Sequence, residues 1–156
     1  MSANDVGLLV HLVGALLAFG GVLVAAVAFE SGRRRSLPGE IALVLGLARI
    51  GALVVVAGTI LVLTAGLWLA NDTDQLGEPW VLASLGLFVG SVLLGAAGGQ
   101  RPKRARELAD ELAAEGRGET GELRRLLDDP LSRALNYASA LLFLAVLVLM
   151  VWQPGR

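Results

Sequence analysis

Few side chains in this sequence are equipped for chemistry, and long apolar stretches separate them. His11 is the single histidine of the 156-residue chain. Gly14, Ala15 and Ala18 follow it at three, four and seven positions, so on a helix His11 shares a small-residue face that turns toward neighbouring helices. An ionisable group in that setting is a functional-site candidate. One reading makes His11 an axial ligand of a haem, with Met150 as the second ligand. The simpler reading makes it a neutral imidazole bonded to Thr59, Thr64 or a backbone carbonyl of a neighbouring helix, and Met150 a flexible apolar filler. A bis-histidine site would take two chains.

Arg49 interrupts a 30-residue apolar run. Counting back about 20 residues from Trp68 puts Arg49 at a membrane boundary, where its guanidinium can snorkel to the surface. Asn136 and Tyr137 open the last apolar run and read as structural: Asn136 as a cap or interhelical hydrogen bond, Tyr137 as part of an aromatic belt. Asp72, Asp74 and Glu78 gather in one loop without calcium-loop spacing. No carboxylate interrupts an apolar run, which weighs against a buried proton relay. Cysteine is absent, which excludes disulfides, thiolate metal sites and cysteine nucleophiles, and no glycine-rich loop ends in Lys-Ser or Lys-Thr. No catalytic residue and no metal site is expected. The expectation is no cofactor, with a haem at His11 and Met150 as the alternative.

The elements that must position these residues are four apolar runs, at 6–29, 41–70, 80–98 and 134–152. A helix needs about 20 apolar residues to cross the hydrocarbon core, and lipid forces the backbone to satisfy its own polar groups. The predicted fold is therefore all-α: a polytopic four-helix membrane bundle forming a single domain. Ala26-Val27-Ala28 resembles a signal-cleavage tripeptide. No basic residue precedes the first run, however, and Arg33-Arg34-Arg35 follows it at once, so it reads as a retained span.

Basic residues set the orientation. Three follow the first run, and eight lie between the third and fourth (Arg101, Lys103, Arg104, Arg106, Arg117, Arg124, Arg125, Arg133). Only Arg156 lies on the other side, which places both termini outside. Trp68, Trp80 and Trp152 then all fall at the outer interface. The location is the cell membrane, with a GC-rich bacterial origin hinted at by twelve arginines against one lysine.

Residues 99–133 form the cytoplasmic connection. Ala105, Leu108, Ala109 and Leu112 keep helical spacing, Gly116-Arg117-Gly118 breaks it, and Leu123, Leu126 and Leu127 resume it. A short helical hairpin is predicted, lying on lipid or on the bundle, with 105–127 as a docking surface for a cytoplasmic partner in the alternative. Its basic and acidic residues balance, as does the chain's net charge of −1, so nothing favours nucleic acid. Small residues on the first three spans, including the Gly86–Gly90 step, predict that these make the tight core, with the fourth more peripheral. Homo-oligomerisation stays open.

The stretch His11–Gly21, His-Leu-Val-Gly-Ala-Leu-Leu-Ala-Phe-Gly-Gly, resembles the opening helix of small bacterial four-helix membrane proteins. Thr64-Ala65-Gly66-Leu67, leading to Trp80 and Ser84, is similar to the same region of an integral membrane family. That family is grouped near the copper-resistance D membrane domain and the bacterial membrane protoporphyrinogen oxidases. The oxidase resemblance implies haem b held by a histidine of the first helix, which falls on His11. The first span here carries no tryptophan, arginine or second histidine. The reading favoured by the residues themselves is a non-enzymatic accessory or envelope component.

Overall fold

The structure is a computed structural model describing residues 2–154; Arg156 lies outside the described residues. It contains six helices: α1 (Ala3–Arg33), α2 (Pro38–Asp72), α3 (Pro79–Gly98), α4 (Gln100–Ala114), α5 (Gly121–Leu127) and α6 (Pro130–Trp152). The described residues form no strand, and four helical segments are long and apolar enough to cross a membrane. The all-α expectation is met.

Local chemistry sets the helix ends. Ser2 and Asp5 cap α1 reciprocally, each side chain accepting from the other's backbone N–H at 2.7 and 3.2 Å. Proline opens α2, α3 and α6, where the first-turn N–H it lacks has no helical acceptor. Asp129 caps α6 by accepting from the Ser132 N–H at 2.9 Å. Gly116, at φ +66°, ends α4. The Arg117 N–H returns to the Leu112 carbonyl and the Gly116 N–H to that of Ala113, a turn that requires the left-handed backbone glycine allows.

The spans pack as two pairs, α1 with α2 and α3 with α6. Buried small residues recur every seven positions in the first pair: Gly7, Gly14, Gly21 and Ala28 on α1, and Gly51, Gly58 and Ala65 on α2. That period keeps a single line of each helix facing the other. A Cβ on Gly21 would stand 2.6 Å from the Gly51 carbonyl oxygen, and one on Gly51 2.8 Å from the Ala25 nitrogen. The two backbones are therefore in direct contact, the arrangement that substitutes for hydrophobic driving force in lipid.

The second pair corrects the expected grouping of the first three spans around a peripheral fourth. The third span pairs with the fourth because α6 supplies hydrogen-bonding residues rather than glycines. Ser132, Asn136, Ser139, Phe143, Val146 and Met150 follow one another at steps of three and four, so they share one face of α6. The Gly86–Gly90 step is not the seam: a Cβ on Gly86 would meet nothing within 4 Å, and one on Gly90 would make ordinary contact with Leu142 at 3.4 Å. Phe143 joins the two pairs, its ring centroid lying 6.5 Å from Phe19 of α1 and 6.1 Å from Phe88 of α3. Ala18, Val62, Phe88, Phe143 and Val146 form the core at that level.

The predicted hairpin is α4 and α5, and it lies on the bundle. Ala105, Ala109, Leu112, Leu123 and Leu127 enclose a second core with Ile41, Ala42 and Leu45 of α2. The length of α2, 35 residues against the roughly 20 a crossing needs, is thereby explained: its first turns serve as the floor of this cap.

Candidate functional site

His11 lies on the α1 face that meets α2. Its Nδ1 donates to the Val62 carbonyl oxygen at 3.1 Å. The imidazole rests over Gly66, where a Cβ would stand 2.9 Å from both Cε1 and Nδ1. Gly66 is therefore a seat shaped for the ring. A carbonyl can only accept, so Nδ1 carries a proton; in an uncharged ring that tautomer leaves the lone pair on Nε2. Of the partners weighed from the sequence, Thr59, Thr64 or a backbone carbonyl, the third is found; the Thr64 hydroxyl instead donates to Ile60 of its own helix at 2.8 Å. Met150 packs against the Ala18–Phe143 core, as does Ala15, one turn along α1 from His11.

The α3–α6 seam carries a hydrogen-bond ladder that sequence reasoning did not assemble. Ser91 Oγ donates to the Ser139 carbonyl at 2.9 Å, and Ser139 Oγ to the Ser91 carbonyl at 2.8 Å. Toward α4, the Gly98 carbonyl accepts from Ser132 Oγ at 2.5 Å and from Asn136 Nδ2 at 3.4 Å. The chemical cause lies four residues further on. Pro102 has no N–H to give to Gly98 although the helical ladder runs on around it, from Gly99 N to Gly95 O and from Lys103 N to Gly99 O. Two side chains of α6 fill the vacancy. A readable signal existed in the shared face of Ser132, Asn136 and Ser139, but the acceptors on α3 were not identifiable without the pairing. Asn136 thus makes the interhelical bond, while Tyr137 is exposed.

At the α4–α5 end, charged groups lock the cap to α1. Arg124 donates to the carbonyls of Arg33 and Arg35 at 2.7 and 3.0 Å, covering oxygens at the end of α1 that have no helical partner. Arg33 bonds Asp128 at 2.8 Å and Glu30 at 2.9 Å. Its hydrogen bond to Asp128 raises the Arg33 pKa further, and the one to Glu119 does the same for Arg124. Both residues lie beyond the apolar runs. Arg49 is exposed on α2 and lines an open groove of about 420 Å³ together with Arg106 of α4. A second groove, about 470 Å³, lies on the outer side of the cap between α4 and α5, walled by Arg104, Glu107, Glu111, Glu122 and Arg125. Among the described residues no three histidine or carboxylate side chains gather as a metal-ligand set.

The pieces amount to two polar seams inside an apolar bundle and one charged cap outside it. No curated protein and no solved structure shows significant similarity to the chain. A family model does match it, over residues 6–154, which takes in all four spans and the cap. The chain belongs to the DUF2269 family of predicted integral membrane proteins.

Proposed function

We propose that this protein is a non-enzymatic accessory component of the bacterial cell membrane, with both termini outside and the α4–α5 cap in the cytoplasm as a docking platform. The observation that carries this reading is how the cap is held. Its apolar stripe is consumed by α2, so the opposite face, with Glu107, Glu111, Glu122, Arg104 and Arg125 around the α4–α5 groove, projects as a fixed surface of mixed charge. Fixed charges select a partner by complementarity rather than by bulk attraction. The basic-residue asymmetry supports the cytoplasmic side for that face.

Two measurements test it. Because the native chain has no cysteine, single cysteines placed at Arg117 and at Asp74 report topology through a membrane-impermeant thiol reagent. Labelling of intact cells at position 74 alone agrees with the proposal; labelling at 117 alone overturns it. Photocrosslinkers at Glu111 and Glu122 should then give a discrete protein adduct that Glu107→Arg weakens. Adducts to lipid only would remove the docking role.

The second reading is a haem-binding membrane protein, in line with the oxidase resemblance. What supports it is the His11 tautomer. Metal-ligating histidines commonly donate their other ring N–H to a backbone carbonyl, as His11 does to Val62. Haem b would supply one-electron redox chemistry; His11 would hold it through Nε2, and Met150, engaged in the apolar core, is the candidate for the second ligand. Absorption spectra of the purified protein, oxidised and dithionite-reduced, separate the readings. A Soret band abolished by His11→Ala establishes haem, and its absence in protein from haem-supplied cells rejects it.

A further inference from the structure

We infer that the Arg49–Arg106 groove is a binding site for one anionic phospholipid, whose phosphate lies between the two guanidiniums and whose acyl chains run along α2. Arg49 stands one turn beyond Leu45, the last α2 residue that the cap core buries. It therefore marks the line where the cap ends and the lipid-facing surface begins. Among the described residues Arg49 has no carboxylate within ion-pairing distance, and Arg106, reaching over from α4, shares its charge with Asp110 alone at 2.8 Å. Two cations against one carboxylate leave a net positive charge at a boundary where desolvated charge is costly unless it is paired.

The rest of the groove is apolar and open. On the lipid side of Arg49, Ile50 and Leu53 are 56% and 60% exposed and form the wall for the acyl chains, while Leu43 and Leu47, 75% and 52% exposed, flank the guanidiniums on the cap side. Gly46 leaves the floor clear, since a Cβ there would meet nothing within 4 Å. Guanidiniums bind phosphate oxygens through paired N–H donors, and basic pockets at helix boundaries are where anionic headgroups bind. A free phosphate would satisfy the arginines but leave the apolar wall bare, so the wall selects the lipid. Because the two arginines come from α2 and α4, a bound lipid also fastens the cap to the span.

The test is thermal unfolding of the full-length protein in a neutral detergent with added phosphatidylglycerol, phosphatidylcholine or inorganic phosphate. Phosphatidylglycerol should raise the midpoint well above phosphatidylcholine at equal mole ratio, and inorganic phosphate should have no effect. Arg49→Gln should weaken the apparent affinity for phosphatidylglycerol roughly tenfold, the loss expected for one charge-assisted hydrogen bond. Gly46→Leu fills the groove without touching a charge and should abolish the same shift, so the proposal stays testable even if Arg49→Gln folds poorly. Equal shifts from the two lipids, a phosphatidylglycerol shift that survives Gly46→Leu, or a shift from inorganic phosphate alone would each overturn it.

Discussion

The imidazole of His11 on α1 occupies the space that a side chain at Gly66 on α2 would fill. The same ring reaches the Val62 carbonyl one turn earlier on α2, so the glycine and the histidine work as a unit near the end of the first helix pair. His11→Ala removes one interhelical hydrogen bond and should cost about 0.6 kcal/mol, the average for such bonds in membranes. Gly66→Val should cost more, because it drives the ring off its seat. In the double variant the valine penalty should shrink, since the ring it displaces is gone. Unfolding midpoints of the four proteins give the coupling directly.

Two glycines on α2 should respond oppositely to substitution. A side chain at Gly58 meets the backbone of Ala18 and the Gly14 carbonyl oxygen, the latter at 2.7 Å, whereas Gly46 faces open space. Backbone cannot rotate away, so Gly58→Val should separate α1 from α2 and cost upward of about 3 kcal/mol. Gly46→Ala should instead stabilise the helix by about 0.5–1 kcal/mol. Denaturation in detergent measures both.

The reciprocal bonds between Ser91 and Ser139 predict non-additivity. Ser91→Ala and Ser139→Ala each remove one of two parallel links and should each cost about 0.6–1.7 kcal/mol. The first loss loosens the seam that the second bond depends on, so the double variant should fall short of the sum. Unfolding free energies of the single and double variants decide it.

Leu112 is essentially buried in the cap core. Leu112→Ala should cost about 2–5 kcal/mol, and because α4 and α5 share that core mainly with the first turns of α2, with Phe29 of α1 at its edge, the loss should appear as local opening. Hydrogen exchange should rise across residues 100–127 while α1, α3 and α6 keep their protection.

Much of this molecule could be read in advance, and the reason differs from element to element. The spans declare themselves because lipid demands about 20 apolar residues per crossing. The α4–α5 hairpin shows in the spacing of Ala105, Ala109, Leu112, Leu123 and Leu127, and its break in Gly116. His11 could be placed on the inward face from Gly14, Ala15 and Ala18. All of these are patterns within one helix, where 3.6-residue geometry fixes who shares a face with whom.

Which helix faces which was not available in that form. Leucine and lipid are equally apolar, so a small-residue stripe promises a close contact without naming the partner. Gly86 and Gly90 looked as suitable as Gly51 and Gly58, yet only the latter pair sits against another backbone. The bond from Ser132 to Gly98 depends on a proline four residues beyond its acceptor and on a helix 34 residues away. Arg49 looked like a lone snorkelling cation until α4 set Arg106 beside the same groove. Local periodicity determined the elements and their faces; only tertiary pairing decided which polar groups meet, because hydrogen bonds and charge neighbours depend on distances between helices that no single helix contains.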